Sequence, residues 1–351
     1  MNTDVAKERY LFIDVARGIS IICIVLGHLG VSSINRFVFT FHVPVFFLLS
    51  GYFTNAEVSF KEHIKKKAKT LIVPYVLCCI VICILAVLIN QILEGGAGNK
   101  QILLRWICAS LYGAGDNYQQ PFTIYGIGAI WFLLASFWGS ILLKYLLNRT
   151  TIVRAISVFG FFLLCVLSRR ICWLPLSIQA AGPALLFMYL GYLAKSLVPF
   201  IAKLQREVKI VFWIFVFWIW IEFIRDFKSF WLVHCDYGRG GIDIFGSLCA
   251  CCCILLISYG ISNIKCKIIA NGIGYLGKYS LLVLSMHMVE LAVFPWSRIG
   301  GALFTEMTDT QYLWLRIIGK FLWIIPTTVL LSKWSISRRL WGYKPLVHSH
   351  N

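Results

Sequence analysis

Long apolar runs alternate with short polar connections along almost the whole chain. Runs approaching the roughly 20 residues that a helix needs to cross a bilayer fall at 11–29, 37–53, 71–93, 125–147, 152–168, 174–198, 209–224, 241–262, 274–295 and 312–332. They are continuous rather than alternating residue by residue, which selects helices over membrane β-strands. The pattern predicts an all-α polytopic membrane protein of about ten transmembrane helices. Residues 1–351 are expected to form a single integral membrane domain, because the longest connections, 54–70, 94–124 and 225–240, leave no room for a soluble one.

Composition strengthens this reading. Hydrophobic types make up 59% of the 351 residues and charged types only 14%, against roughly 25% charged in soluble domains. Disorder and a soluble enzyme on one anchor are both excluded. The 33 Lys and Arg outweigh 15 Asp and Glu, for a net charge of +18. On a soluble chain that excess would point to nucleic acid. Here it lies between apolar runs, so it points to orientation and anionic lipid, with no nucleic-acid partner. With a cytoplasmic N-terminus, inner segments hold twenty Lys and Arg, Lys7, Arg9 and Lys344 among them, and outer segments ten. Both termini are therefore expected in the cytoplasm, and the expected location is the bacterial plasma (inner) membrane. The first run resembles a signal sequence, but it carries Asp14 and Arg17 and has no small-residue cleavage site, so it reads as an uncleaved helix. The 13 cysteines lie mostly within apolar runs without the paired spacing of a zinc site, so packing is expected and no metal.

Ionisable residues within a span are costly and mark function. Asp14, Arg17 and His28 share the first run. Eleven helical steps bring Arg17 and His28 to the same face, about 16 Å apart. Such a pair suits a ligand with an anionic head and a long arm ending in a reactive group, the shape of coenzyme A. Arg17 would then hold phosphate while His28 works at the acyl carbon. The alternative pairs Arg17 with Asp14 at i, i+3 and leaves His28 an interior hydrogen-bonded histidine. His42 in the second run is expected at a depth similar to His28 across a short turn at 30–36, with Pro44 kinking the helix and freeing a carbonyl. Glu290, three residues after His287, is placed to orient it. Asp116 and Tyr125, in and beside the 94–124 connection, suit sugar hydroxyls and faces, or an ordinary solvated loop. Five lysines between Lys61 and Lys69 suit phosphate or anionic lipid.

The motifs taken together resemble the acyltransferase-3 family, in its fucose 4-O-acetylase-like branch. They are Asp14-x-x-Arg17-Gly18, Arg17-x10-His28, and Phe41-His42-x-Pro44-x-Phe46-Phe47-x-x-Ser50-Gly51-Tyr52. Lys66-x-x-Lys69 before Pro74-Tyr75, Trp131-Phe132-Leu133, and Gly277-x-x-Ser280 with His287 complete the set. The resemblance spans the whole chain in order. It implies ten membrane helices, a catalytic role for His28, and acyl-CoA contact by Arg17, Lys66, Lys69 and Tyr75. Lysines stand where the family carries arginines, which removes the bidentate fork.

The expected function is thus a membrane-bound O-acyltransferase. It moves an acyl group, expected to be acetyl, from acyl-CoA to a hydroxyl of a cell-surface carbohydrate or its precursor. His28 is the expected base, or a nucleophile that first forms an acyl-imidazole, with Arg17, Asp14 and His42 beside it and His42 or a backbone donor at the oxyanion. Asp116, Tyr125, Trp131, His287 and Glu290 are expected near the acceptor. The rival is a transporter whose pathway uses Asp14, Arg17, His28 and Glu290, although the chain lacks the paired broken helices of many such folds.

Overall fold

A computed structural model of the chain describes residues 10–303 and 307–343. Lys7, Arg9 and Lys344 lie outside the described residues. Within them the protein is all-helical, with only two isolated bridges, Tyr118 to Ile124 and Trp231 to Asp236, in extended backbone. In chain order come α1 (Leu11–Gly27), α2 (Ser32–Val38) and α3 (Pro44–Tyr52). Next, α4 (Phe60–Lys67) continues through a π-helical turn at Ala68–Ile72 into α5 (Val73–Glu94), on which α6 (Asn99–Tyr112) folds back. Then follow α7 (Trp131–Leu146), α8 (Thr151–Ser168), α9 (Ile178–Lys203), α10 (Arg206–Arg225) and α11 (Gly241–Asn263). The chain closes with α12 (Lys267–Lys278), α13 (Ser280–Val293), α14 (Trp296–Leu303), α15 (Asp309–Lys333) and α16 (Ser335–Leu340).

Six helices among the described residues are long and apolar enough to cross a membrane, and seven if α12 and α13, bent by 72° at their junction, make one span. The chain is an integral membrane protein. The other apolar segments are shorter, broken or charged at their ends. α1 has 17 residues, and α10 begins with Arg206, Glu207 and Lys209 and ends at Arg225.

Three expectations change. The run 37–53 is not one kinked helix, because Pro44 starts α3 at its first position, where a missing N–H costs nothing. The 30–36 turn contains most of α2, and the reversal falls at Phe39–Val43. The first half of the 94–124 stretch is largely α6, whose 14 residues fall below spanning length. Gly95, Gly96 and Gly98, all at positive φ, turn α5 into α6, and the Asn90 side-chain amide donates to the Ala97 carbonyl at 2.8 Å across that turn.

Helix α1 sits centrally, packed on α11, α12 and α13. It crosses α12 with almost no gap: a Cβ on Gly277 would lie 1.8 Å from the Asp14 carbonyl oxygen, and one on Gly18 2.1 Å from that of Ile273. Helices α3 and α9 cross in the same way, with Gly51 on the Met188 backbone and Gly191 on that of Leu48. Small residues let backbones meet where lipid gives no hydrophobic drive for helix association. Three glycines of the quoted motifs, Gly18, Gly51 and Gly277, are thereby accounted for. The cysteines of α11 serve packing as well: Cys249, Cys251 and Cys253 are buried in one apolar cluster with Ile13, Ala16 and Trp220.

Candidate functional site

The Arg17 face of α1 carries Ile21, Ile24 and His28 at helical spacing, and this stripe forms one wall of two adjoining chambers. The first, of about 180 Å³, is lined by Arg17, Lys67, Ser50, Ser136 and Ser280. The second, of about 380 Å³, is lined by His28, His42, Asp116, Trp131 and Trp231. Ile24, Phe132 and Leu284 line both, so they stand as an apolar collar between the two.

In the Arg17 chamber, Lys67 Nζ donates to Ser50 Oγ at 3.3 Å. Ser136 Oγ is buried and lacks a hydrogen-bond partner, an orphan that calls for an explanation. Two cations and three hydroxyls in a small chamber suit a phosphate. Lys66 and Lys69 are exposed and line neither chamber. The lysine that turns inward is Lys67, one turn before Leu71 on the same wall. Tyr75 is buried and lines neither chamber, its hydroxyl donating to the Ser110 carbonyl at 2.7 Å. Asp14 is buried on the side of α1 that faces α12, its Cβ beside Gly274.

In the second chamber, His28 forms the C-cap of α1 and is exposed to the cavity although enclosed by the helices around it. Its Nδ1 lies 2.8 Å from the Ile24 carbonyl. A carbonyl only accepts, so Nδ1 carries the hydrogen and neutral His28 keeps its lone pair on Nε2. His42 has the same arrangement, with Nδ1 2.7 Å from the Val38 carbonyl, and it stacks on Phe39 at 4.9 Å between ring centroids. Neutral His42 therefore presents an acceptor at Nε2, which favours the backbone donor over His42 of the two oxyanion partners expected from sequence. Trp131 is buried and meets Gly115.

Behind His28 lies a buried polar assembly. The rings of His28 and His287 meet edge to face at 5.0 Å. His287 Nδ1 donates to Glu290 Oε2 at 3.1 Å, and Lys320 Nζ reaches both Glu290 oxygens at 2.7 Å. The Trp296 indole donates to Glu290 Oε1 at 2.5 Å. His287, Glu290 and Lys320 are fully buried. The pairing leaves the His287 lone pair on Nε2, which has no partner. One turn before Lys320, Arg316 donates to the carbonyls of His28 at 3.2 Å and Leu29 at 3.1 Å, fixing the end of α1. Sequence reasoning named His287 and Glu290 but missed Lys320, Arg316 and Lys67. A charge inside an apolar run was the available signal for Lys320.

Two connections roof the His28 chamber. Trp231, Leu232 and Val233 line it from the 226–240 segment, and Gly115 and Asp116 from the 113–127 segment. They are tied by Asp116 Oδ2 to His234 Nε2 at 3.2 Å and by the Tyr118 hydroxyl to His234 Nδ1 at 3.1 Å. Tyr118 stacks on Trp173 at 3.9 Å, and Arg169 donates to the Cys235 carbonyl at 2.8 Å. The hydrogen bond from His234 holds the Asp116 carboxyl below the usual carboxylate range. A depressed carboxyl stabilises above its ordinary value and loses that contribution as pH falls through the depressed one. Backbone exchange at 231–236, corrected for intrinsic rate, should therefore accelerate on acidification in the wild type. In Asp116→Asn it should be fast already at neutral pH, and unchanged protection there would show that the tie does not hold the roof. Tyr125 is exposed at the rim, under the Arg105 guanidinium.

A helical membrane protein with a basic, hydroxyl-lined chamber joined to a histidine chamber can hold a phosphorylated ligand at one end and remove a proton at the other. Among the described residues no cluster of three His, Cys, Asp or Glu has metal-holding geometry. The family model described as an acyltransferase domain, the acyltransferase-3 family, matches residues 10–333, and the chain belongs to that family. No curated protein and no solved structure matches it.

Proposed function

We propose that this acyltransferase moves an acyl group, acetyl in the simplest case, from acyl-CoA to a hydroxyl of a cell-surface carbohydrate or its precursor, as in the fucose 4-O-acetylase-like branch. It would sit in the bacterial inner membrane with about ten crossings and cytoplasmic termini, so that the Arg17 chamber faces the acyl-CoA pool. One observation carries the reading: Arg17 and His28 occupy the two ends of a single stripe on α1, in chambers that share a collar. Their axial separation of about 16 Å suits an extended pantetheine arm.

CoA phosphates would meet Arg17 and Lys67, with Ser50, Ser136 and Ser280 around them. The arm threads Ile24, Phe132 and Leu284 and places the thioester by His28. His28 Nε2 takes the hydroxyl proton as the acceptor oxygen bonds to the acyl carbon. Gly128 and Ala129, in the turn that enters α7, line the chamber with Trp131, and the positive end of α7 would favour the oxyanion there. The carbon–sulfur bond then breaks, and the thiolate recovers the proton from His28. His287, held by Glu290 and Lys320, backs the His28 ring throughout.

Lys67→Met should raise the KM for acetyl-CoA about tenfold, the value of one charged hydrogen bond, with kcat little changed. Lys66→Gln with Lys69→Gln should do far less. Both are measured on purified protein in lipid nanodiscs with radiolabelled acetyl-CoA. Equal effects would mean that the lysine run acts as bulk charge, and no consumption of acetyl-CoA under any condition would return the transporter reading.

A further inference from the structure

A third cavity, of about 500 Å³, opens beside the His28 chamber between α5, α6, α13 and the start of α14. It falls within the roughly 300–1,000 Å³ of ligand pockets. Two residues, Gly128 and Leu291, line both spaces, so the two are neighbours across a thin partition. Met288 also lines this cleft. Its thioether lies against Gly128, where a Cβ would come within 2.6 Å of the methyl carbon, and Gly128 has a φ of +73°. A flexible, unbranched side chain is thus what occupies the partition.

The cleft walls differ from the lipid-facing sides of the same helices. Ile80, Ile84, Leu88 and Ile92 form an exposed apolar stripe on α5. Toward the cleft, α5 and its neighbours present Asn90, Glu94, Arg105, Trp106 and Arg298. Arg298 pairs with Glu94, and the Arg105 guanidinium sits 5.4 Å from the centre of the Tyr125 ring. A gap filled by acyl chains gains nothing from an amide, a carboxylate and two guanidiniums. Hydroxyl-rich ligands gain from the Asn90 side-chain oxygen, the carboxylate and both guanidiniums, and the indole of Trp106 supplies an apolar face for the CH side of a ring.

We propose that this cleft is a second acceptor subsite, which holds the sugar unit next to the one acylated in the His28 chamber. The proposal rests on the carbohydrate-acceptor reading and adds that the acceptor is an oligomer recognised over more than one unit. Gly128 and Leu291 mark the linkage between the two units, and Met288 moves aside to admit it.

The test uses the full-length protein in nanodiscs, radiolabelled acetyl-CoA, and glycan fragments released by mild acid from the envelope of the source cell and sized by chromatography. In the wild type, KM should fall about tenfold from single sugars to oligomers, equivalent to roughly 1.4 kcal/mol. Arg105→Ala and Arg298→Gln, both at exposed positions, should erase most of that gap. They should leave the single-sugar KM, the acetyl-CoA KM and the melting temperature unchanged. A length preference retained in both variants, or absent from the wild type, overturns the subsite. Failure of every fraction to accept acetyl, with acetyl-CoA still bound, overturns the carbohydrate reading and the subsite with it.

Discussion

Replacement of His28 by Ala should lower acyl transfer by about 10²- to 10⁴-fold, the usual contribution of a positioned base. The protein should stay folded, inserted and able to bind CoA, because His28 ends α1 rather than filling its core: its side chain faces the cavity and hydrogen-bonds its own helix at Ile24. His42→Ala supplies the comparison. His42 offers the same lone pair in the same chamber, but its ring is buried and backed by Phe39 rather than by the His287 assembly. Its loss should therefore act mainly on acceptor KM, with kcat reduced far less. Wild-type turnover in purified His28→Ala would remove His28 from the chemistry, and equal kcat losses in the two variants would remove the distinction between them.

The largest effect on stability should come from Lys320→Met. Glu290 takes two hydrogen bonds from Lys320 and one each from His287 and Trp296, all away from water. Taking away the cation strands a carboxylate in a closed interior, and breaking such a pair costs about 3–5 kcal/mol. Glu290→Gln added to Lys320→Met removes the stranded charge and should restore a good part of the loss, even though His287 then lacks its carboxylate. Thermal unfolding of the detergent-solubilised single and double variants measures both. A double variant no more stable than Lys320→Met would mean that the pair is not what holds α13 to α15. Activity separates the roles further: the double variant should remain slow even where its melting temperature recovers, because the Gln amide offers one acceptor oxygen where Glu290 offered two, and His287 must share it with Trp296.

Residues that act along one helix were the ones legible in the sequence. Arg17 with His28, and His287 with Glu290, are fixed by helical periodicity alone, since steps of 100° settle which side chains share a face. Partners drawn from distant helices were not. Lys320 stands 30 residues beyond Glu290, and only the packing of α13 on α15 brings them together. Lys67 was hidden by its neighbours: in a run of three consecutive lysines at 65–67, composition cannot say which one turns inward. Trp231, Leu232 and Val233 reach the His28 chamber from a connection whose sequence reads as an ordinary loop. The segment count shows the same limit. Hydropathy marks where apolar residues lie, but it does not register that Pro44 divides one run into two short elements, or that α12 and α13 meet at 72°.

The collar of Ile24, Phe132 and Leu284 also bears on the energy economy of the cell. In the proposed orientation the two chambers face opposite aqueous phases, and each carries titratable groups or cations. Joined by water, they would form a wire along which protons could short-circuit the membrane potential. Three apolar side chains shared by the two chambers favour dewetting between them, as hydrophobic constrictions do in closed channels. An acyl arm passing through fills the same gap with hydrocarbon and amide. On the proposed function the collar would thus work as electrical insulation: group transfer would cross the bilayer while ionic current would not.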